Sequence, residues 1–123
     1  FIPFRKEILI VPMVGAVDQT RIDKLQVSLV EEVHKQGSRA VIIDLTGVPD
    51  MEAASVERLN CVTGAASLLG AAVILTGLRP EIAKQWARQE SEIRNAVSES
   101  TLERGIARAL EIINIRSDSG TRK

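Results

Sequence analysis

Three short runs of this chain are almost wholly apolar: Ile8-Leu-Ile-Val-Pro-Met-Val14, Ala40-Val-Ile-Ile43 and Ala71-Ala-Val-Ile-Leu75. Each is short and rich in β-branched residues, the mark of a strand covered on both faces. Pro12 cannot donate to a ladder, so the first run needs an edge or a bulge near it. Residues 2–6 can form a further strand paired with that run.

The segments between these runs carry apolar residues at helical spacing. Asp18 and Thr20 offer caps for a first helix, and Thr20-x-x-Asp23 resembles a capping box. Ile22, Leu25, Leu29, Val30 and Val33 form its apolar side, His34 and Lys35 lie in its last turn, and Gly37 suits its end. Asp44 is expected to end the next strand, with Thr46-Gly47-Val48-Pro49 as a loop. A second helix is expected from Ala53 to Leu69, with Val56, Leu59, Val62, Ala66 and Leu69 inward and Gly70 at its end. Pro80 fits the first position of a third helix, whose apolar residues are Ile82, Ala83, Trp86 and Ala87. Ala96-Val97 reads as a short last strand. Ser100-x-x-Glu103 then reads as a capping box for a final helix buried through Leu102, Ile106, Ala109, Leu110 and Ile113.

The order is ββαβαβαβα, an α/β fold with a mainly parallel sheet of about four to five strands, about four helices and right-handed crossovers. Residues 1–116 form one domain, and the polar tail 117–123 is expected to be disordered. In such a sheet, sites lie beyond the carboxyl ends of the strands, where the Thr46-Gly47 and Thr76-Gly77 pairs fall. The chain opens on Phe1 rather than Met, so it reads as a domain excised from a longer protein.

Composition narrows the function. Sixteen basic side chains balance sixteen acidic ones, which argues against a nucleic-acid footprint. No apolar run approaches a membrane span. The single cysteine, Cys61, allows no internal disulfide and suits the cytoplasm. It reads as a buried or half-buried thiol on the second helix.

Catalytic signatures are scarce. Neither G-x-x-x-x-G-K-[ST] nor G-x-G-x-x-G occurs, and G-x-S-x-G is absent. His34, the one histidine, reads as a solvated residue at a helix end. One His and one Cys make a poor metal set, and no cofactor or metal is expected. Asp44 and Asp50 read as a loop cap and a turn residue rather than as paired acid–base carboxylates. The chain is expected not to be an enzyme.

Four strings carry a family resemblance: Asp44-Leu-Thr-Gly-Val-Pro49, Leu68-Leu-Gly-Ala71, Ile74-Leu-Thr-Gly-Leu-Arg-Pro-Glu-Ile-Ala83 and Ser100-Thr-Leu-Glu-Arg-Gly-Ile106. Together they resemble a STAS domain (sulfate transporter and anti-sigma-factor antagonist), most like the C-terminal domain of RsbR-type stressosome proteins, over residues 4–114. The resemblance implies a non-catalytic signalling domain, an anti-sigma-factor-antagonist type of regulator, in a cytoplasmic scaffold of STAS domains. Its implied partners are a serine/threonine switch kinase, other STAS-domain proteins and further copies of itself, with dimerisation through the second helix and the Thr-Gly loops. The kinase would phosphorylate the scaffold, leave it and activate a downstream phosphatase.

The resemblance also implies two phosphoacceptor positions. One carries over to Thr76. The other falls on Ala53, which follows Glu52 and has no hydroxyl. Ser55 could stand in only by pointing about 200° away on the same helix, at roughly 100° per residue. The surface implied for partners comprises Asp50, Glu52, Ala53, Ser55, Thr76, Gly77 and Arg79, with Arg79 a candidate partner for a phosphate on Thr76 near the starts of the second and third helices. Asp50 and Glu52 either imitate a phosphorylated surface or are ordinary helix-start acids. Gln89-Glu90-Ser91 replaces the family's Leu-Gly-Ile, which implies a longer third helix or an altered loop. A different reading is a STAS domain that binds a nucleotide or other small ligand at the strand-end loops.

Overall fold

The computed structural model describes the backbone of residues 1–5 and 7–121, and side chains as far as Arg116. The elements are β1 (Ile2–Arg5), β2 (Ile8–Val14), α1 (Gln19–Gln36), β3 (Ala40–Gly47), α2 (Ala53–Leu68), β4 (Ala72–Thr76), α3 (Pro80–Arg88), β5 (Val97–Glu99) and α4 (Leu102–Thr121). The strands form one sheet in the order β1-β2-β3-β4-β5. β1 runs antiparallel to β2, and all other neighbours are parallel. The order and the parallel character agree with the sequence pattern. The β2–β3 register shifts between Pro12 and Val14, where Pro12 withholds a ladder donor. Residue 6, expected in the first strand, lies outside the described residues.

The sheet separates two unequal layers, set by the alternation of side chains along each strand. Leu9, Val11, Val41, Ile43, Val73 and Leu75 face α1, α2 and α3, meeting Leu29, Val56, Leu59, Ile82 and Trp86 in the larger core. Ile8, Ile10, Ala40, Ile42 and Ile74 face the other way, towards Ala109 and Ile113 of α4. Leu102, Ile106 and Leu110 are only partly buried against that smaller core.

Several boundaries depart from the sequence reading. Asp18 alone caps α1, accepting from the Arg21 N–H at 2.8 Å, so the box from Thr20 does not form. Gly37 closes that helix in the left-handed conformation (φ 66°). β3 continues through Asp44 to Gly47, because it pairs with β4 as far as Asp44, opposite Thr76, and with β2 as far as Gly47, opposite Val14. The polar residues there lie on a strand, not in a loop. Leu69 lies outside α2 and is exposed, and Ala83 and Ala87 face solvent. The α4 cap is Thr101, whose hydroxyl accepts from the Arg104 N–H at 3.2 Å, rather than Ser100. The backbone of α4 stays helical to Thr121, within the segment expected as a tail; residues 122 and 123 lie outside the described residues. Cys61 is exposed, because it falls on the solvent side of α2.

The segment Gln89-Glu90-Ser91 does not lengthen α3. The helix stops at Arg88, Glu90 takes a left-handed conformation (φ 55°), and the Ser91 N–H closes onto Trp86 O at 2.8 Å. A side chain in that conformation costs about 1 kcal/mol relative to glycine.

Candidate functional site

The rim at the carboxyl ends of β3 and β4 holds the most connected polar group. Asp44, on β3, is half-buried. Its Oδ1 accepts from the Thr46 hydroxyl at 2.8 Å and from the Thr76 hydroxyl at 2.8 Å. Thr46 is exposed and bonds locally, two residues along the chain, whereas Thr76 is 0% exposed. Bonds to a carboxylate are charge-assisted, and this one oxygen draws the two strand ends together. Asp44 is thus a strand residue joining two strand ends rather than a loop cap.

Backbone geometry tightens the same place. Gly77 has φ +70°, and a β-carbon there would overlap Thr46 Oγ1 and lie 2.8 Å from Thr46 N. Only glycine combines that conformation with so close an approach. Gly105, in α4, lies directly over Thr76: a β-carbon on it would overlap Thr76 Cγ2 and sit 3.6 Å from Ile42 Cγ2 and Ile74 Cγ2.

The strand registers place Pro12, Asp44, Thr76 and Glu99 in one row across the sheet. Ile42, Ile74 and Val97 precede the last three by two positions and pack on the α4 side, so Asp44, Thr76 and Glu99 share that face. Glu99 is held from above by Arg108 at 3.0 Å. This corrects the expectation that Thr76 points towards the starts of α2 and α3, which lie on the opposite layer. Arg79 is exposed on the rim and donates to Thr46 O at a long 3.4 Å.

The position expected from the resemblance as the other acceptor, Ala53, lies on the other face. Ala53 opens α2 and is half-buried; Glu52 precedes it as the N-cap, without a side-chain capping bond. Asp50 accepts from the Met51 N–H at 2.8 Å, and both acids are exposed. Ser55 is 3% exposed and donates to Val17 O at 3.3 Å, tying α2 to the segment before α1. Residues 16–20, 49–52 and Ser55 line a cleft of about 570 Å³ beside Ala53. It contains neither Thr46 nor Thr76.

Sequence reasoning missed two buried polar residues of α2. Asn60 donates to Glu92 O at 2.8 Å and accepts from the Arg94 N–H at 2.6 Å. Thr63 donates to Arg94 O at 2.7 Å. One turn apart, they tie the loop after α3 to α2. Their (i, i+3) spacing on the apolar side of the helix was the available signal.

A STAS domain family model matches residues 2–103. The chain belongs to the STAS domain family. It is 33% identical over 111 residues to the RsbT co-antagonist protein RsbRA of Bacillus subtilis, covering 90% of this chain and 40% of that protein. The B. subtilis RsbT co-antagonist protein RsbRD is 28% identical over 105 residues, covering 85% of this chain and 38% of its own length. The chain therefore spans about two-fifths of these relatives. Among solved structures, RsbS of Moorella thermoacetica superposes with a TM-score of 0.74 at 18% identity, over 88% of this chain and 92% of that one. A chain of the stressosome, described as a signal integration and transduction hub, superposes with a TM-score of 0.71 at 16% identity, over 87% of this chain and 93% of its own. The chain shares its fold with that stressosome chain and with the anti-sigma factor antagonist SpoIIAA, the latter at a TM-score of 0.63 and 13% identity. Among the described residues, no helix is long and apolar enough to cross a membrane.

Proposed function

We propose that this STAS domain is a non-catalytic signalling module of a stressosome-like cytoplasmic scaffold, which binds a serine/threonine switch kinase and is modulated by phosphorylation at Thr76. The observation that supports this reading is 33% identity to a co-antagonist over 90% of the chain; on the family resemblance, Thr76 takes one acceptor position and Ala53 the other. Asp50, Glu52 and Ala53 form the partner-facing start of α2, with Gly77 and Arg79 on the neighbouring rim. Fixed acids beside Ala53 give that surface lasting negative charge, where a phosphate would supply it transiently.

Incubation with the switch kinase and ATP, followed by peptide mass spectrometry, tests the reading. Label is expected on Thr76 alone of the two positions. Label on Ser55, or full labelling of Thr76→Ala, would sink it.

Self-association belongs to the same proposal. Leu68 is 90% exposed at the end of α2, and Leu69 beside it is 44% exposed. Sedimentation of the domain at high concentration should show a dimer or larger species, and a strict monomer counts against the scaffold role. The ligand-binding alternative is less well supported. The cleft beside Ala53 is lined by Asp18, Asp50 and Glu52, which repel a phosphate-bearing ligand.

A further inference from the structure

Thr76 is the candidate acceptor, yet its hydroxyl is fully enclosed. Resting on the proposed function, we infer that Asp44 latches Thr76 shut, and that Thr76 becomes an acceptor only when the first turn of α4 lifts from the sheet.

Three contacts build the latch. The hydroxyl is held by Asp44 Oδ1 at 2.8 Å. The methyl fills the space under Gly105, beside Ile42 and Ile74. The carboxylates of Asp44 and Glu99 stand on either side in the same cross-sheet row. Thr76 is 0% exposed in this arrangement, so its hydroxyl is closed to a kinase.

The first turn of α4 is the part best suited to move. It follows a three-residue edge strand, and its cap, Thr101, is exposed. Gly105 itself weakens the helix there, since glycine favours the unfolded chain. Leu102 and Ile106 are only partly buried. The strands beneath, in contrast, are fixed by the larger core.

Once Thr76 is presented, its oxygen attacks the γ-phosphorus of ATP. The Oγ1–P bond forms, the bond from that phosphorus to the bridging oxygen breaks, ADP leaves, and the hydroxyl proton passes to the kinase's base. The product carries about −1.5 to −2 charge. It cannot return between Asp44 and Glu99 under Gly105, for lack of space and because of like-charge repulsion. Phosphorylation thereby holds the start of α4 open, with Arg79 on the rim free to exchange its long bond to Thr46 O for the phosphate.

Amide hydrogen exchange by NMR tests the latch without a kinase. In Asp44→Ala, exchange at Gly105 and Ile106 should rise about tenfold, the consequence of losing a charge-assisted bond, while Leu9 and Val41 keep wild-type protection. Thr76→Glu, which sets a carboxylate between Asp44 and Glu99, should raise exchange at the same two amides. Unchanged exchange at Gly105 and Ile106 in both variants overturns the latch. So does an equal rise at Leu9 and Val41, which reports global unfolding instead of a local opening. Labelling with ATP and the switch kinase separates the two readings. Faster labelling of Thr76 in Asp44→Ala supports both; raised exchange with no labelling in any variant removes the acceptor role and leaves the latch standing.

Discussion

The two positions proposed as acceptor sites lie at the same end of the sheet and differ in almost every physical respect. Thr76 sits on the α4 face, enclosed, with its hydroxyl bonded and its methyl packed. Ala53 sits at the start of α2 on the opposite layer, half-open to solvent, beside a helix cap whose side chain makes no capping bond. One position is closed by packing, and the other by the lack of a hydroxyl. The contrast teaches that reactivity can be withheld in two ways: reversibly, by a structure that opens, or permanently, by a side chain that cannot react.

The largest expected effect would erase half of that contrast. Ala53→Thr places a hydroxyl at an accessible helix start, so a second phosphate should appear on kinase treatment, read as a second mass increment. Failure to gain it while Thr76 is labelled would show that more than the missing hydroxyl silences this position.

Next in size is Gly105→Ala, which drives a β-carbon into Thr76 Cγ2. Overpacking costs about 1–3 kcal/mol, partly offset by about 1 kcal/mol of helix propensity. Urea denaturation should show net destabilisation, and adding Thr76→Ser, which deletes the obstructing methyl, should recover most of it. Equal effects of Gly105→Ala in the two backgrounds would refute the close packing.

Thr76→Val keeps the shape and removes the bond to Asp44, for an expected loss of about 1.5 kcal/mol in the same assay. A loss near zero would show that Thr46 alone satisfies the carboxylate. The smallest effect belongs to the other site: Glu52→Ser supplies the absent cap and should stabilise by about 0.5–1 kcal/mol, seen as a rise in Tm. A gain there would show that the start of α2 is not optimised for stability, consistent with a surface kept for a partner.

The sequence made the element order legible because double-sided burial leaves uninterrupted apolar runs, and Ala40–Ile43 and Ala71–Leu75 are such runs. It misplaced the end of β3 because Asp44 and Thr46 are polar, and polarity looks like a loop when the partner strand is unknown. Pairing of Asp44 with Thr76 and of Gly47 with Val14 carries the strand onward, a long-range fact. The enclosure of Thr76 was hidden for the same reason. Which face a strand residue takes follows from alternation, but the helix that covers that face lies some thirty residues later, at Gly105. Asn60 and Thr63 escaped notice because their partners are backbone groups of a loop, and those leave no mark in side-chain pattern.

Both margins of the sheet are blunt. β1 has four residues, one of them Pro3, and β5 has three. Proline offers no N–H to an incoming strand, and so short a β5 gives little template for one. Neither margin offers much of a template for edge-to-edge pairing between copies. The helix faces and rim loops are then the surfaces left for the proposed scaffold to build on.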